Sequence, residues 1–312
     1  MARKPRLHVP GGFYHVMLRG NGGQDIFFAK ADRRRFLDLL AEGVPRFGHR
    51  VHGYCLMTNH VHLVVQAGEA PLSRALQNLA FRHTRFVNAR KRRIGHLFQG
   101  RYKALLVDAD SYLLELIRYV HLNPVRAGLV AEPAEWPWSG HRAYLEGDAP
   151  AWLTTDRVLG ALAGGRQDPR AAYRAFVAAG LGEGYRPEFH EGLAAPGVLG
   201  DDDFAERVLA RSARPRPAPA LDAIVAGVAA AYGLAPAELA QPSRQRRRAE
   251  ARGVIAHLAR ESGAASLAAC AARFDRDAAT MSHAAARIEL KTAGDPAFAR
   301  RLEALNNAIM QA

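Results

Sequence analysis

Met57-Thr58-Asn59-His60-Val61-His62-Leu63-Val64-Val65 alternates its side chains with the period of two that marks a strand. Val61, Leu63 and Val65 then face a core. His60 and His62 share the opposite face, where both imidazoles can reach one metal ion. Two neutral imidazoles hold a divalent ion and leave coordination positions free for a substrate oxygen. An apolar strand with two half-exposed histidines on its wet face has the same pattern, so the pair alone leaves both roles open.

Outward from this strand, the Thr58-Asn59 turn joins it to a second strand over residues 50–56, with the histidine strand itself at 60–66. Residues 14–19 alternate and end in Gly20-Asn21-Gly22-Gly23, a strand and turn. Residues 31–47 carry Phe36, Leu39, Leu40 and Val44 at helical spacing. Pro71 opens a further helix with Leu72, Leu76, Leu79, Phe86 and Val87 as its stripe. Residues 102–107 form another strand, and Asp110 or Ser111 caps a helix that runs to about Asn123, where Pro124 makes continuation costly.

The order strand, helix, strand, strand, helix, strand, helix predicts an α+β domain over 1–145, a ferredoxin-like antiparallel sheet with packed helices. Residues 146–218 read as a connector, with short helices hinted at by Leu199-Gly200 and 204–209 and a stiff basic linker at 211–219. Residues 219–312 are alanine-rich and helix-patterned, a second, all-α domain.

Among the 312 residues, 43 Lys and Arg against 30 Asp and Glu give a formal charge of +13. The excess concentrates between Ala70 and Val107, which holds nine basic residues and no acidic one: Arg74, Arg82, Arg85, Arg90, Lys91, Arg92, Arg93, Arg101 and Lys103. A run of that length sustains a positive field whose commonest partner is a phosphodiester chain. Phe81, Phe86, Phe98 and Tyr102 interleave with it, as unpaired bases require, although Phe86 also suits a core. Cys55 and Cys270 stand far apart, which argues against a disulfide framework or a thiolate zinc site and fits the cytoplasm. No stretch has the apolar length of a signal peptide or a bilayer span, so no membrane partner is expected.

In the helix of residues 111–123, Leu113, Ile117 and Val120 form the apolar stripe, and Tyr119 lies about 200° round from Ile117. Glu115, Tyr119 and Asn123 share one side that could face a metal site across the sheet. An amphipathic helix with a boundary tyrosine fits equally well.

Four motifs in order resemble a known family. They are Tyr14-His15-Val16 with Arg19-Gly20-Asn21, the segment Leu56 through Leu63, Gly95-His96-Leu97-Phe98-Gln99-Gly100-Arg101-Tyr102-Lys103, and Tyr119-Val120-His121-Leu122-Asn123-Pro124-Val125-Arg126-Ala127-Gly128-Leu129-Val130. Together they are similar to the REP-associated tyrosine transposases, relatives of the single-tyrosine insertion-sequence transposases and of the HUH nucleases, named for His, hydrophobe, His. The likeness extends through Trp136-Pro137-Trp138-Ser139, after which Gly140 stands where the family usually has a second Ser.

The resemblance implies that His60 and His62 ligate a metal with Asn123 as an amide ligand, and that Tyr119 is the nucleophile. A phenol with a pKa of about 10 needs a metal-polarised phosphate and a proton acceptor to act at neutral pH. Imidazole with amide oxygen suits magnesium or manganese, although paired histidines also take zinc. The implied activity is a transposase-like endonuclease and strand transferase that cuts single-stranded DNA beside hairpin, REP-type sequences through a covalent 5'-phosphotyrosine. Arg19, Arg90, Lys91, Arg92, Arg93, His96, Gln99, Arg101, Tyr102 and Lys103 are the expected DNA contacts. His121, two residues past Tyr119, reads as a surface or DNA-contacting residue.

The C-terminal segments 221–232, Arg244 to Arg248, 251–260, 266–274 and 275–284 resemble the duplex-binding domain of DnaA-type replication initiators. Residues 266–274 would be the first helix of a helix-turn-helix and 277–290 its recognition helix. Arg244, Arg246, Arg247 and Arg248 are its expected phosphate contacts. The main rival is a non-catalytic, sequence-specific DNA-binding regulator on the same fold; a second is a metal hydrolase without a covalent intermediate, which would not require Tyr119.

Overall fold

A computed structural model describes residues 7–164, 168–195, 197–212, 220–241 and 245–311. In chain order the elements are β1 (Phe13–Arg19), α1 (Lys30–Phe47), β2 (Arg50–Leu56), β3 (His60–Gln66), α2 (Leu72–Lys91), β4 (Lys103–Val107), α3 (Ala109–His121), α4 (Asn123–Arg126), α5 (His141–Glu146), α6 (Asp156–Ala163), α7 (Pro169–Ala178), α8 (Glu188–Glu191), β5 (Val198–Leu199) and α9 (Asp202–Ser212). Helices α10 (Leu221–Ala231), α11 (Arg246–Ser262), α12 (Leu267–Arg273), α13 (Ala278–Gly294) and α14 (Pro296–Gln311) follow. The chain divides into two compact units, residues 1–214 and 215–312.

The first unit is built on a mixed sheet in the order β2-β3-β1-β4-β5. Its first four strands are antiparallel, as the ferredoxin-like pattern predicts, and β5 adds in parallel through Leu106 and Val107 of β4. Val198 and Leu199 are therefore strand rather than helix, whereas residues 204–209 lie inside α9.

Alternation sorts the two faces. Val16, Leu18, Val61, Leu63 and Val65 meet Phe36, Leu39 and Leu40 of α1 and Leu72, Leu76 and Leu79 of α2 in one core. Phe13 and Val64 point the other way, into a core with Leu113, Leu116, Ile117 and Val120 of α3. The helix lies close on the sheet because Gly53 of β2 has no side chain; a Cβ there would stand 2.6 Å from Ile117 Cδ1.

Two local expectations change. Asp108 caps α3, with its carboxylate accepting from the Asp110 backbone N–H and the Ser111 hydroxyl, so the helix starts earlier than Asp110 or Ser111 would set it. It also stops at His121, and Asn123 opens the separate turn α4. The expected connector packs onto the first unit up to Ser212: Val158, Tyr173 and Phe189 are buried in the same core as α3. The reason lies in α3 itself, which buries Leu116 and Tyr119 as well as its sheet-facing stripe and needs cover on a second side. Of the basic linker, residues 213–219 lie outside the described residues.

The second unit is helical, with α10 to α14 around Ile224, Val228, Val254, Leu258, Phe274, Met281 and Ile288. Ser266 caps α12, and Asp277 caps α13 through the Thr280 backbone N–H and hydroxyl. Between these two helices Asp275 takes φ 50°, a left-handed turn of the sort a helix-turn-helix needs. Among the described residues no helix is long and apolar enough to cross a membrane.

Candidate active site

The antiparallel register sets Arg19 opposite His60 and Met17 opposite His62, so His15 of β1 lies diagonal to His62 on the same face. Three imidazoles thus gather on the α3 side of the sheet. The His60 and His62 ring centroids are 5.0 Å apart, and those of His15 and His62 also 5.0 Å.

Their hydrogen bonds fix the tautomers. Phe189 offers a carbonyl, which can only accept, so His15 Nδ1 carries the proton and donates over 2.7 Å. Full burial pushes the His15 pKa down to about 3, so the ring is neutral and its Nε2 is an acceptor. His62 Nδ1 must therefore donate to it over 2.8 Å, which leaves the lone pair of His62 on Nε2. Asn59 repeats the device at His60: its Nδ2 donates to the Gly23 carbonyl, and its Oδ1 accepts from His60 Nδ1 at 2.7 Å. His60 likewise keeps its Nε2 lone pair. Burial lowers the pKa of His60 to about 4 and holds that of His62 well below its ordinary value, so both rings are neutral. With Nδ1 held by an outer partner and no hydrogen bond to Nε2 among the described residues, both rings could offer Nε2 to a cation.

From α3, Tyr119 reaches this cluster. Its ring centroid is 6.5 Å from that of His62, and its hydroxyl is 2.7 Å from His190 Nε2. The residue is 3% exposed, so the expectation that Tyr119 stands off the buried face is corrected: Phe189 and His190, on the segment around α8, close over a second side of α3. Arg126 of α4 lies over the phenol at 4.0 Å from the ring centroid and donates to the Tyr119 carbonyl at 2.7 Å. Burial raises the Tyr119 pKa, and the Arg126 cation opposes that rise. Burial also lowers the His190 pKa below the usual imidazole value, with Lys103 and Arg126 adding to the effect.

The rest of the expected trio on α3 separates. Glu115 turns to Arg186 in a 2.8 Å ion pair. Asn123, on the next element, is buried with its Nδ2 lacking a hydrogen-bond partner among the described residues. The orphaned atom is a donor, and a cation would take the amide oxygen instead, so this observation does not itself mark Asn123 as a ligand. His121 is not a surface residue: it is fully buried, with Nδ1 2.8 Å from the Tyr173 hydroxyl that His141 Nδ1 also meets at 2.6 Å.

The expected DNA contacts divide by what else they do. Arg19, Lys91, Arg92, His96, Gln99, Arg101 and Lys103 are exposed, and Tyr102 is half-buried against the core. Gln99 is tied to β1 through the Arg19 carbonyl at 2.8 Å, which places its loop beside the histidines. Arg93 donates to Gln24 and, with Lys91, lies over the Phe28 ring. Arg90 is exposed too, and both ends of its guanidinium bind the buried Asp32 carboxylate, at 2.8 and 2.6 Å. In the second unit Arg246 and Arg247 are exposed, Arg248 is held by Glu238, and Arg244 lies outside the described residues. His15, Arg126 and His190 are the site residues for which no role was expected from sequence.

Two stretches of the chain match known families. Residues 9–123 match the family described as "Transposase IS200 like", and residues 221–288 match the family described as "Bacterial dnaA protein helix-turn-helix". A curated protein of Haemophilus influenzae that bears the name REP-associated tyrosine transposase is 29% identical over 101 residues, which cover 28% of this chain and 57% of that protein. A solved structure described as a REP-associated tyrosine transposase bound to a REP hairpin is similar at a TM-score of 0.41 and 16% identity, covering 50% of this chain and 93% of the other.

Proposed function

We propose that this protein is a single-strand DNA endonuclease and strand transferase acting beside hairpin, REP-type sequences, with Tyr119 as its nucleophile. The observation that carries the proposal is the Tyr119 hydroxyl itself, 2.7 Å from an imidazole nitrogen and beside two histidines whose Nδ1 atoms are engaged and whose Nε2 atoms have no hydrogen-bond partner among the described residues. The names of the similar proteins and the basic, aromatic-studded segment after α2 support the choice of DNA.

The chemistry follows from the chain's own groups. Tyr119 Oη attacks the phosphorus while its proton passes to His190 Nε2, within the hydrogen-bond reach a general base needs. The new P–O bond joins the phenol to the 5' side of the break, and the departing 3' oxygen takes up a proton to become a hydroxyl. Phosphoester is exchanged for phosphoester, so resealing needs no nucleotide cofactor. Arg126 over the ring stabilises the phenolate that burial disfavours. His60 and His62, with Asn123, would hold magnesium or manganese, which when bound polarises the phosphate and neutralises its developing charge. Lys103 and Arg19 flank the cluster as strand-positioning cations, and the second unit, through Arg246 and Arg247, adds a duplex contact that raises local concentration at the target.

The test incubates the full chain with a hairpin oligonucleotide bearing an unpaired flank, in magnesium. A covalent protein-DNA band that Tyr119→Phe abolishes is the expected result. Binding without cutting would identify a DNA-binding regulator instead, and cutting that survives Tyr119→Phe would identify a plain hydrolase.

A further inference from the structure

Tyr185 is 62% exposed, although tyrosines commonly bury their rings. Its inner face rests on His190, with centroids 4.8 Å apart and planes inclined by 28°. His190 in turn holds the Tyr119 hydroxyl. The segment bearing Tyr185 is fastened on both sides: Glu183 pairs with Arg118 of α3, and Arg186 reaches Glu115 at 2.8 Å and also binds Glu188. A ring held this firmly, backed by an imidazole and open to solvent on its outer face, is a prepared stacking surface beside the nucleophile.

Resting on the assignment of Tyr119 as nucleophile, we propose that the outer face of Tyr185 seats the unpaired base flanking the scissile phosphate. A base stacked there lies two ring layers from His190, a separation that one nucleotide's sugar and phosphate can span to reach Tyr119. Stacking on an aromatic tolerates every base, because each has a π-face, but demands one that is not already stacked in a duplex. The site therefore selects single strands without reading sequence. No reaction step depends on the Tyr185 hydroxyl; its role is substrate positioning.

The probe is the same hairpin oligonucleotide with 2-aminopurine placed at each unpaired flank position in turn, bound to the full-length protein. Wild type and Tyr185→Phe should quench the fluorescence at one position and bind alike. Tyr185→Leu, which still covers His190, should abolish that quenching and weaken binding by about tenfold. Wild-type quenching and affinity in the Leu variant would overturn the proposal, and the same result with slower adduct formation would assign Tyr185 to shielding His190. The adduct assay judges Tyr119 separately, since Tyr119→Phe removes the chemistry and leaves the stacking face. A wild type that forms no adduct, yet quenches in a Tyr185-dependent way, defeats the nucleophile assignment and leaves the base seat standing.

Discussion

A histidine offers a metal one nitrogen only when its proton is kept on the other, and here each candidate ligand has a dedicated keeper. For His62 the keeper is His15, itself locked by the Phe189 carbonyl. His15→Phe fills the same buried space but leaves His62 Nδ1 without an acceptor. Manganese affinity, read by titration calorimetry, should fall ten- to a hundredfold. Unchanged affinity in a folded variant would refute the relay. The parity of His60 and His62 was legible in the sequence because a strand's period is exact at two, and the same parity applied to Tyr14-His15-Val16 would have found His15. His190 offered no such signal. It lies in a four-residue helix within a segment lacking periodicity, and only packing on α3 brings it to Tyr119.

Among elements, the join of α1 to α2 shows what a charge count cannot resolve. The Asp32 carboxylate, fully buried, accepts from the Phe28 and Ala29 backbone N–H groups and from Arg90. Asp32→Ala should cost about 1–2 kcal/mol in denaturant unfolding, chiefly because it removes a helix cap, while the exposed Arg90 guanidinium it releases is taken up by water. Arg90→Ala should lower stability while leaving the salt dependence of DNA binding unchanged. Arg92→Ala should reduce that salt slope by about one, as loss of a phosphate contact does. The opposite pattern would restore Arg90 to the DNA surface. Element boundaries followed closely from turn residues and strand alternation. The placement of Tyr119 and His121 did not, because a helical wheel presumes one covered side and α3 is covered on two.

For the whole first unit, acid sensitivity follows from its buried neutral histidines. Burial lowers His49, His83 and His141 to about 4, against 6.5 in the unfolded chain. Between those values the unfolded state binds protons that the folded state refuses, so stability decreases as pH falls from about 6.5 towards 4. The combined loss should be several kcal/mol, on the order set by linkage, and urea midpoints measured across that window check it. A flat profile would mean that these rings protonate in place. Composition reads as a helical alanine-rich end after a Pro/Arg-rich stretch, but the packing of the segment through Ser212 onto the first unit was not legible, since β5 is only two residues long and patternless.

That brief fifth strand and the α8 turn before it bear on anyone wishing to transplant this first unit. A fragment trimmed to the family signature, ending near residue 123, would forfeit the acceptor of the His15 proton, the partner of the Tyr119 hydroxyl and the neighbour of the β4 edge together. A working chimera must therefore carry everything through α9, some ninety residues of what resembles mere tether.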